Sequence, residues 1–483
     1  MCRVVNICSA MKYSLWFALI ISVFPTAFAD DWPQFLGANR DGISTENGLL
    51  ESFPKNGPAL IWQKEIGTGY SAPSVRGEKL VLFHRVGTNE IVDCLNARNG
   101  NPIWQFAYFS NFQDPYGYNN GPRCTPLLTE RFCYTFGAEG MLTCLELKTG
   151  KLVWQRNTAK DWEIPEAFFG VGSTPVLEGD VLIVMVGGQP NAGMVGLDAK
   201  TGKTVWESVG EKNWTGKPML GWTDNFQNRR STEGEFKLDR KAEDEMKVEW
   251  KRHEKQASYA TPVLATVNGK RMAFCLMRQG LVSLSPKTGE VYDSFWFRAR
   301  VDESVNAANP VVVSNTVFIS GAYYKSGSVW LHVNPENQKF EELRRSMVLE
   351  IHWTTPILHN GFLYAFSGRN EPDSRFRCVD FATGKLMWDR DESWRPYTTK
   401  QPDKYGRGSC IFTDGKLILL GEGGLLGLFE ANSKEVEEAA RWQAPQLHYP
   451  TWAAPILSNK KLYLRSEDRL LCLNFAKTKS SKP

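Results

Sequence analysis

Apolar and polar residues alternate over short stretches of this chain, and the stretch from Leu142 to Trp154 shows the pattern most clearly. Apolar side chains recur from Leu142 to Leu147, Thr149-Gly150 interrupts them, and Leu152 to Trp154 resumes the run. A period of two predicts strands, and a glycine between two such runs predicts a tight turn that needs a positive φ angle. The stretch is therefore predicted to be a β-hairpin.

Versions of this hairpin return along the chain, and all but the seventh follow an opening of the Ser/Thr/Ala-x-Pro type. The opening prolines lie 53, 49, 87, 48 and 46 residues apart from Pro73 to Pro356, and Pro455 follows 99 residues later. Four short strands per unit at this period predict the blades of a β-propeller. The eighth unit lacks its outer strand, whereas Leu60 to Lys64 is an outer strand without a unit. We therefore predict an all-β, eight-bladed propeller of four-stranded blades, closed by this N-terminal strand.

The closing tryptophan or the turn glycine is replaced in two units, and the tryptophans of the repeat are assigned to packing. Tyr292 stands where tryptophan is expected in the fourth unit, and Asn337 replaces the turn glycine of the fifth. An aromatic side chain at the end of the outer strand can lie against the next blade, where it buries a large area. The tryptophans expected to do so are Trp104, Trp154, Trp206 and Trp388.

The N-terminus predicts export. Lys12 precedes an apolar run from Tyr13 to Phe24, and Ala27-Phe28-Ala29 offers a cleavage point, as in a signal peptide of residues 1–29. The run is shorter than the ~20 residues that span a bilayer. We expect a periplasmic or secreted protein without a membrane span or lipid anchor. The remaining chain is divided into an arm (30–58), the propeller (59–474) and a tail (475–483). An insertion at 207–258 is predicted to be a solvated hairpin, with a helix as second choice.

Charge and motifs exclude several classes of function. The formal net charge is +4, and no block of basic residues stands out. A nucleic-acid partner is therefore not expected. The chain also lacks a phosphate-binding loop, a His-Glu-x-x-His motif and a Gly-x-Ser-x-Gly motif.

The cysteines are predicted to be buried rather than paired, with one exception. If Phe136 and Met141 close the second hairpin, Cys133 lies opposite Cys144 and a cross-strand disulfide is sterically allowed. Elsewhere cysteine recurs at one position of the repeat, which indicates a mostly small, buried site. That position is assigned to Cys94, Cys144, Cys378 and Cys472, with Gly196, Ser283, His332 and Gly427 in the other copies.

The repeat resembles that of pyrroloquinoline-quinone (PQQ) proteins. The closing motif Leu-Asp-x-x-Thr-Gly-Lys-x-x-Trp occurs from Leu197 to Trp206 and, with valine for leucine, from Val379 to Trp388. The segment Trp-Pro-Gln-Phe-Leu-Gly also resembles the leader of exported relatives. The resemblance implies the propeller fold but two kinds of function. Quinoprotein alcohol dehydrogenases bind PQQ and calcium, whereas the outer-membrane assembly scaffold binds neither.

The resemblance also implies that the connections leading into the opening motifs surround an axial funnel. These connections are rich in aromatic, amide and charged residues, which could stack a planar cofactor, a sugar ring or a peptide side chain. The candidate ligand-binding residues are Tyr70, Arg123, Glu166, Tyr259, Asn306, Trp353, Arg407 and Trp452.

We expect a non-catalytic, exported module that binds a protein or a polysaccharide at the funnel face. The alternative is a PQQ- and calcium-dependent dehydrogenase of alcohols or sugars. Its calcium ligands and its general base could come from four residues with side-chain oxygen atoms: Glu166, Asp302, Glu303 and Asn306. The adjacent cysteines common in such dehydrogenases are missing, as is a haem motif. No catalytic residue, metal ligand or cofactor is therefore assigned.

Overall fold

The computed structural model describes residues 31–162, 164, 169–214, 257–299, 304–395 and 403–477. Within these residues the strands form eight separate four-stranded antiparallel sheets. In seven of the sheets, four consecutive strands lie side by side in chain order. This arrangement is an eight-bladed β-propeller, as predicted from the repeat.

The strands of the first four blades follow one another along the chain. Blade 1 contains β2 (Ser74–Arg76), β3 (Lys79–Val86), β4 (Asn89–Asn96) and β5 (Pro102–Phe109). Blade 2 contains β6 (Leu127–Leu128), β7 (Phe132–Phe136), β8 (Met141–Glu146) and β9 (Leu152–Asn157). Blade 3 contains β10 (Val176–Glu178), β11 (Val181–Gly188), β12 (Ala192–Asp198) and β13 (Thr204–Ser208). Blade 4 contains β14 (Val263–Val267), β15 (Lys270–Leu276), β16 (Gly280–Leu284) and β17 (Val291–Trp296).

The remaining blades complete the ring. Blade 5 contains β18 (Val311–Val313), β19 (Thr316–Gly321), β20 (Gly327–Val333) and β21 (Phe340–Ser346). Blade 6 contains β22 (Ile357–His359), β23 (Phe362–Ser367), β24 (Arg375–Asp380) and β25 (Leu386–Asp391). Blade 7 contains β26 (Ser409–Thr413), β27 (Lys416–Leu420), β28 (Leu425–Glu430) and β29 (Glu438–Gln443). Blade 8 contains β30 (Ile456–Ser458), β31 (Lys461–Arg465), β32 (Arg469–Asn474) and β1 (Leu60–Glu65).

Helical structure is sparse among the described residues. One short α-helix, α1 (Thr158–Asp161), follows blade 2, and its first turn is capped by the side chain of Asn157. Single 3₁₀ turns occur at Glu211–Asn213, Tyr323–Lys325 and Glu371–Asp373. In the part of the chain that is described, no helix is long and apolar enough to cross a membrane.

The N-terminal strand closes the ring, which confirms the predicted closure. Strand β1 pairs antiparallel with β32, so that Trp62 lies opposite Cys472 and Lys64 lies opposite Leu470. The last blade therefore takes its outer strand from the start of the chain. Its hydrogen-bonding edge, which would otherwise invite aggregation, is covered.

Five outer-strand tryptophans pack on a turn glycine of the next blade, whereas Trp388 reaches blade 7 by donating its indole N–H to the carbonyl oxygen of Asn432 at 2.8 Å. All of them lie against the next blade, as the repeat predicted. A Cβ atom on Gly150, which has a φ angle of 72°, would come within 2.6 Å of the ring of Trp104. The indole N–H of Trp104 also donates to the carbonyl oxygen of Leu147, at 3.0 Å. Glycine is therefore required twice, for the turn and for the contact. The same contact joins Trp62 to Gly100, Trp154 to Gly202, Trp206 to Gly289 and Trp442 to Gly57.

The disulfide that the sequence allowed between Cys133 and Cys144 is not formed. Cys144 lies opposite Tyr134, whereas Cys133 lies opposite Leu145. Because side chains alternate between the faces of a sheet, this offset of one residue sends the two thiols to opposite faces. Cys133 joins the apolar cluster that also contains Cys94, and Cys144 belongs to a different cluster. Both thiols are free and buried.

The aromatic position of blade 4 was misplaced by one residue. Asp293, not Tyr292, lies opposite Ser283, at the position that tryptophan holds in the preceding blades. Its carboxylate accepts a hydrogen bond from the backbone N–H of Phe340 in blade 5, at 2.7 Å. A polar link therefore replaces the aromatic contact between these two blades.

The turn of blade 5 was also misplaced. Gln338, with a φ angle of 62°, takes the glycine position instead of Asn337. Its backbone N–H donates to the carbonyl oxygen of Asn334 at 2.9 Å, as the turn glycines do in other blades. The position held by Cys144 is likewise taken by Trp330 in blade 5 and by Leu428 in blade 7, not by His332 and Gly427. The hairpin predicted within the insertion 207–258 lies outside the described residues.

The opening motifs form a belt of hydrogen bonds at the start of the inner strands. The backbone N–H of Thr125 donates to Oγ1 of Thr174 at 3.2 Å, and that of Thr174 donates to Oγ1 of Thr261 at 3.3 Å. Thr261 donates in turn to Oδ1 of Asn309 at 2.8 Å, and Asn309 donates to Oγ1 of Thr355 at 3.1 Å. In the motifs of blades 3 to 6, the side chain of the middle residue therefore satisfies a buried backbone donor of the preceding blade.

The N-terminal arm crosses the opposite end of the ring, where the inner strands finish. Trp32 exchanges two backbone hydrogen bonds with Val75 of blade 1, and Pro33 accepts one from Leu128 of blade 2. Gly42 accepts one from Phe412 of blade 7 at 2.9 Å. The arm therefore connects blades 1, 2 and 7 at that end of the ring.

Candidate functional site

The connections that enter the inner strands meet at the end of the ring opposite the arm. Trp452, between blades 7 and 8, is the centre of an aromatic cluster at this funnel face. Its ring centroid lies 4.8 Å from that of Tyr70 and 5.5 Å from that of Trp353. The rings of Tyr118 and Tyr449 lie 5.9 Å and 5.8 Å away. These tilted contacts bring together side chains from different sides of the ring, in the geometry that aromatic quadrupoles favour.

A second row of rings extends this cluster. The ring of Phe169 lies 4.9 Å from that of Tyr116 and 5.9 Å from that of Tyr118. Tyr259 lies 5.9 Å from Phe169, and its hydroxyl accepts a hydrogen bond from the Phe169 backbone N–H at 2.9 Å. We call the connected set the aromatic layer; it comprises Tyr70, Tyr116, Tyr118, Phe169, Tyr259, Tyr323, His352, Trp353, Tyr449 and Trp452.

A buried carboxylate fixes the centre of the aromatic layer. Glu422 is fully buried and pairs with the Arg407 guanidinium at 3.0 Å. The same carboxylate accepts the indole N–H of Trp452 at 2.9 Å. The Arg407 guanidinium then lies over two rings, 4.6 Å from the centroid of Trp353 and 5.5 Å from that of Trp452. Burial raises the pKa of Glu422, and the Arg407 charge opposes that shift. One carboxylate therefore orients an arginine and a tryptophan together.

A second ion pair organises the loop that carries two tyrosines of the layer. The buried carboxylate of Asp114 pairs with Arg123 at 2.6 Å and accepts the backbone N–H of Tyr116 at 2.9 Å. The Arg123 guanidinium lies 5.5 Å from the ring centroid of Tyr70. The ion pair therefore links this loop to the centre of the layer. The hydrogen bonds that the Asp114 carboxylate accepts from Arg123 and from the Tyr116 backbone are charge-assisted.

His352 is an uncharged member of the layer. Its imidazole lies 5.1 Å from the ring of Tyr323 and 4.8 Å from that of Trp353. Burial, together with the nearby charges of Arg407 and Arg369, lowers its pKa to about 3. Nδ1 of His352 has no hydrogen-bond partner among the described residues. At neutral pH the ring therefore contributes aromatic surface rather than charge.

The family model described as outer membrane protein assembly factor BamB matches residues 87–223 and 239–390, more than half of the chain. The chain belongs to the BamB family. The match runs from blade 1 to blade 6, and it confirms the PQQ-like repeat indicated by the closing motifs. No curated protein sequence matches the chain.

Solved structures of known proteins share the fold of this BamB-family chain. BamB from Moraxella catarrhalis is 13% identical with a TM-score of 0.54, covering 86% of this chain and 100% of that chain. Quinohemoprotein alcohol dehydrogenase from Comamonas testosteroni is 12% identical with a TM-score of 0.59, covering 94% of this chain and 82% of that chain. At these identities the likeness shows the propeller alone. Function in the BamB-family chain must be argued from its own residues.

The structure brings five of the eight candidate residues of this BamB-family chain into direct contact. Tyr70, Trp353 and Trp452 form consecutive ring contacts of the aromatic layer. Arg123 lies over Tyr70, and Arg407 lies over both tryptophans. These side chains come from distant connections, and their grouping was expected from the repeat. Their role in ligand binding remains a prediction.

The other three candidate residues are placed differently. Tyr259 joins the layer through Phe169. Asn306 is buried, and its amide N–H groups donate to the carbonyl oxygens of Met277 and Phe297, both at 2.9 Å. Its side chain therefore supports blade 4 beneath the layer. Glu166 lies outside the described residues.

The described part of the BamB-family chain offers calcium no cluster of ligands. Among the described residues, no group of three or more His, Cys, Asp or Glu side chains is arranged to hold a metal ion. The two buried carboxylates of the layer, Asp114 and Glu422, are paired with arginines. Calcium would need several such oxygens together. Asp302 and Glu303, which the sequence suggested as ligands, lie outside the described residues.

Several residues of the site were missed in the sequence. Tyr116 and Tyr118 belong to the segment Asp-Pro-Tyr-Gly-Tyr-Asn-Asn-Gly, whose turn residues and aromatics indicate an exposed recognition loop. That composition could have identified them. Asp114 and Glu422 carry no such signal, because an isolated acidic residue in a connection does not reveal which cation it meets.

Proposed function

We propose that this protein is an exported, non-catalytic module that binds a protein or a polysaccharide on the aromatic layer of its funnel face. The observation that carries the proposal is the grouping of aromatic and arginine side chains around Trp452, drawn from connections on different sides of the ring. Tryptophan, tyrosine and arginine contribute most of the free energy at binding sites. Such a cluster is costly to leave facing water unless a ligand covers it.

Export is part of the same proposal. The signal-peptide pattern of residues 1–29 predicts it. The family description, an outer-membrane assembly factor, supports a protein partner in the cell envelope.

Substitution of Trp353 tests the proposal. A glycan array and a pull-down from exported proteins would identify ligands of the purified protein. Trp353→Ala should weaken binding by at least about tenfold, since truncating a central aromatic costs about 2 kcal/mol or more. Leu343→Ala, on an outer strand where Leu343 is 59% exposed, is the matched control. Full binding by the Trp353 variant would place the site elsewhere.

Arg407 provides a second variant of the same test. Arg407→Ala alone would leave Glu422 buried without its cation, which can unfold a protein. The double variant Arg407→Ala with Glu422→Gln removes both charges and should still lose binding, while its circular dichroism spectrum stays unchanged. Unchanged affinity in this folded variant would argue against a role for Arg407.

A direct assay distinguishes the binding module from the alternative, a PQQ-dependent dehydrogenase of alcohols or sugars. PQQ and calcium are added to the purified protein, and quinone absorbance and alcohol-dependent dye reduction are followed. The binding-module proposal expects neither stoichiometric PQQ binding nor turnover. Both together would overturn it.

A further inference from the structure

We infer that the ligand of the aromatic layer is a neutral polysaccharide, and that Tyr116 and Tyr118 are platforms on which its sugar rings stack. The inference rests on the proposed function and names the ligand class for the same site. It is carried by the loop of residues 110–123, which holds these two tyrosines at the rim of the funnel face. Neither tyrosine is needed to build a blade.

The loop is held rigidly from below. Arg85 is only 4% exposed, and its guanidinium donates to the carbonyl oxygen of Phe112 at 2.7 Å and to those of Ser110 and Asn120 at 3.0 Å each. From inside the loop, Asp114 accepts the backbone N–H of Tyr116 at 2.9 Å. Two buried charges are therefore committed to one conformation of this loop. Such preorganisation lowers the entropy lost on binding.

The same rigid loop leaves its tyrosines in water. Tyr116 is 46% exposed and Tyr118 is 55% exposed, although both touch Phe169. Gly117 between them has a φ angle of 73°, so the backbone turns and both rings reach the same neighbour. A loop that is anchored by buried charges and yet presents two aromatic rings to solvent is suited to receive a ligand.

Two of the arginines at this surface are each matched by a carboxylate. Arg123 is matched by Asp114, and Arg407 is matched by Glu422. Arg369 lies over the ring of Tyr323 at 4.7 Å. The paired groups contribute no net charge, so an acidic or basic polymer gains little long-range attraction from them. The affinity of a neutral ligand does not depend on such attraction, so the pairing of these charges does not weaken its binding.

A neutral sugar chain matches the remaining chemistry. A pyranose ring presents C–H groups on its faces and hydroxyls at its edge. The C–H groups suit the electron-rich face of an aromatic ring, and the hydroxyls can exchange hydrogen bonds with amide, guanidinium and carboxylate groups. The layer offers both kinds of group side by side. A protein partner would use the same tyrosines, and the experiment below separates the two classes.

Affinity electrophoresis tests the inference with named polysaccharides. The purified protein is run through gels containing dextran, xylan, mannan or a mixed-linkage β-glucan, and through gels containing alginate or heparin. At least one neutral polysaccharide should retard the protein, with a dissociation constant that changes less than about twofold between low and high salt, because screening acts on charges. Alginate and heparin should cause no retardation.

Variants of the exposed tyrosines locate the site without risk to the fold. Tyr118→Ala and Tyr116→Ala should each weaken binding about tenfold, which corresponds to about 1.4 kcal/mol. Tyr118→Phe keeps the ring face and should stay within about threefold of the parent protein. Leu343→Ala, which removes an apolar side chain that is 59% exposed on blade 5, should change nothing.

The outcomes distinguish this inference from the proposed function. If only charged polysaccharides or phage-displayed peptides bind, and Tyr118→Ala abolishes that binding, the neutral-sugar inference is wrong but the proposed binding face stands. If a neutral polysaccharide binds equally to Tyr116→Ala, Tyr118→Ala and Trp353→Ala, both are wrong. If none of these probes binds, the neutral-sugar inference is overturned.

Discussion

At the scale of single residues, His352 shows how the aromatic layer excludes charge. Its imidazole is packed between rings and faces the charges of Arg369 and Arg407. Burial and these cations lower its pKa to about 3, although a hydrogen bond with the Arg369 backbone opposes the shift. In the unfolded chain the pKa returns to about 6.5. Between these two values the unfolded chain binds a proton that the folded protein does not.

This difference predicts a loss of stability in mild acid. As the pH falls from about 6.5 towards 4, His352 should lower the free energy of unfolding by up to about 1.4 kcal/mol per pH unit. His352→Phe keeps an aromatic ring but cannot bind a proton, so it should lose this contribution. Urea unfolding of both proteins between pH 4 and pH 8 measures the effect. The variant should gain stability relative to the parent as the pH falls, and parallel profiles would contradict the expectation.

At the scale of the element, blade 5 places on its third strand the large aromatic side chain that blade 2 carries on its outermost strand. In blade 2, Trp154 on the outer strand lies opposite the small Cys144. In blade 5 the corresponding pair is Arg344 opposite Trp330, so the large aromatic lies one strand further in. The Arg344 guanidinium lies 5.5 Å from the Trp330 ring and donates to the carbonyl oxygen of Ala382 in blade 6 at 3.2 Å. The arginine therefore replaces the usual tryptophan contact between blades.

A double-mutant cycle tests whether the contributions of Arg344 and Trp330 to stability depend on each other. Arg344→Trp alone should destabilise the protein by about 1–3 kcal/mol, because two indoles would compete for one space. Trp330→Cys alone should cost about 3–5 kcal/mol through the cavity it leaves. The double variant restores the arrangement of blade 2, so its loss should be smaller than the sum by at least about 1 kcal/mol. Additive values in urea unfolding would show that the two positions are independent.

The blades could be predicted from sequence because their information is local. Proline, glycine and tryptophan recur at fixed spacings, and alternation marks each strand. Register could not be predicted to one residue, because it depends on the turn that joins two strands. The offset between Cys133 and Cys144 arises in this way. Likewise, Trp452 was recognisable in its connection, whereas its partner Glu422 was not, since their contact depends on how blades 7 and 8 pack.

At the scale of the whole molecule, the junction between blade 8 and blade 1 holds the ring together. Strand β1 completes blade 8, and the indole N–H of Trp62 donates to the carbonyl oxygen of Ala97 in blade 1 at 3.2 Å. Arg465 of blade 8 is buried and donates to the carbonyl oxygen of Phe83 in blade 1 at 3.1 Å. Burial lowers the pKa of Arg465 to about 9. Closure therefore combines a strand, an aromatic contact and a buried cation.

Removal of the closing strand should convert the ring into an associating species. A chain that begins at Ala59 keeps β1 and loses only the arm, so it should remain monomeric with a lower melting temperature. A chain that begins at Gly67 also exposes the edge of β32, and exposed edges pair with other chains. It should form dimers or larger assemblies, as measured by light scattering.

A synthetic peptide of residues 59–66 supplies the decisive control. It should restore the monomer of the Gly67 chain by adding the missing strand, since an extended peptide can pair with an open sheet edge. The same peptide with Trp62→Gly should fail, because it cannot fill the contact with Gly100 in blade 1. If the Gly67 chain is monomeric and as stable as the Ala59 chain, β1 does not hold the ring closed. Rescue by the intact peptide alone would show that closure depends on both the strand and its tryptophan.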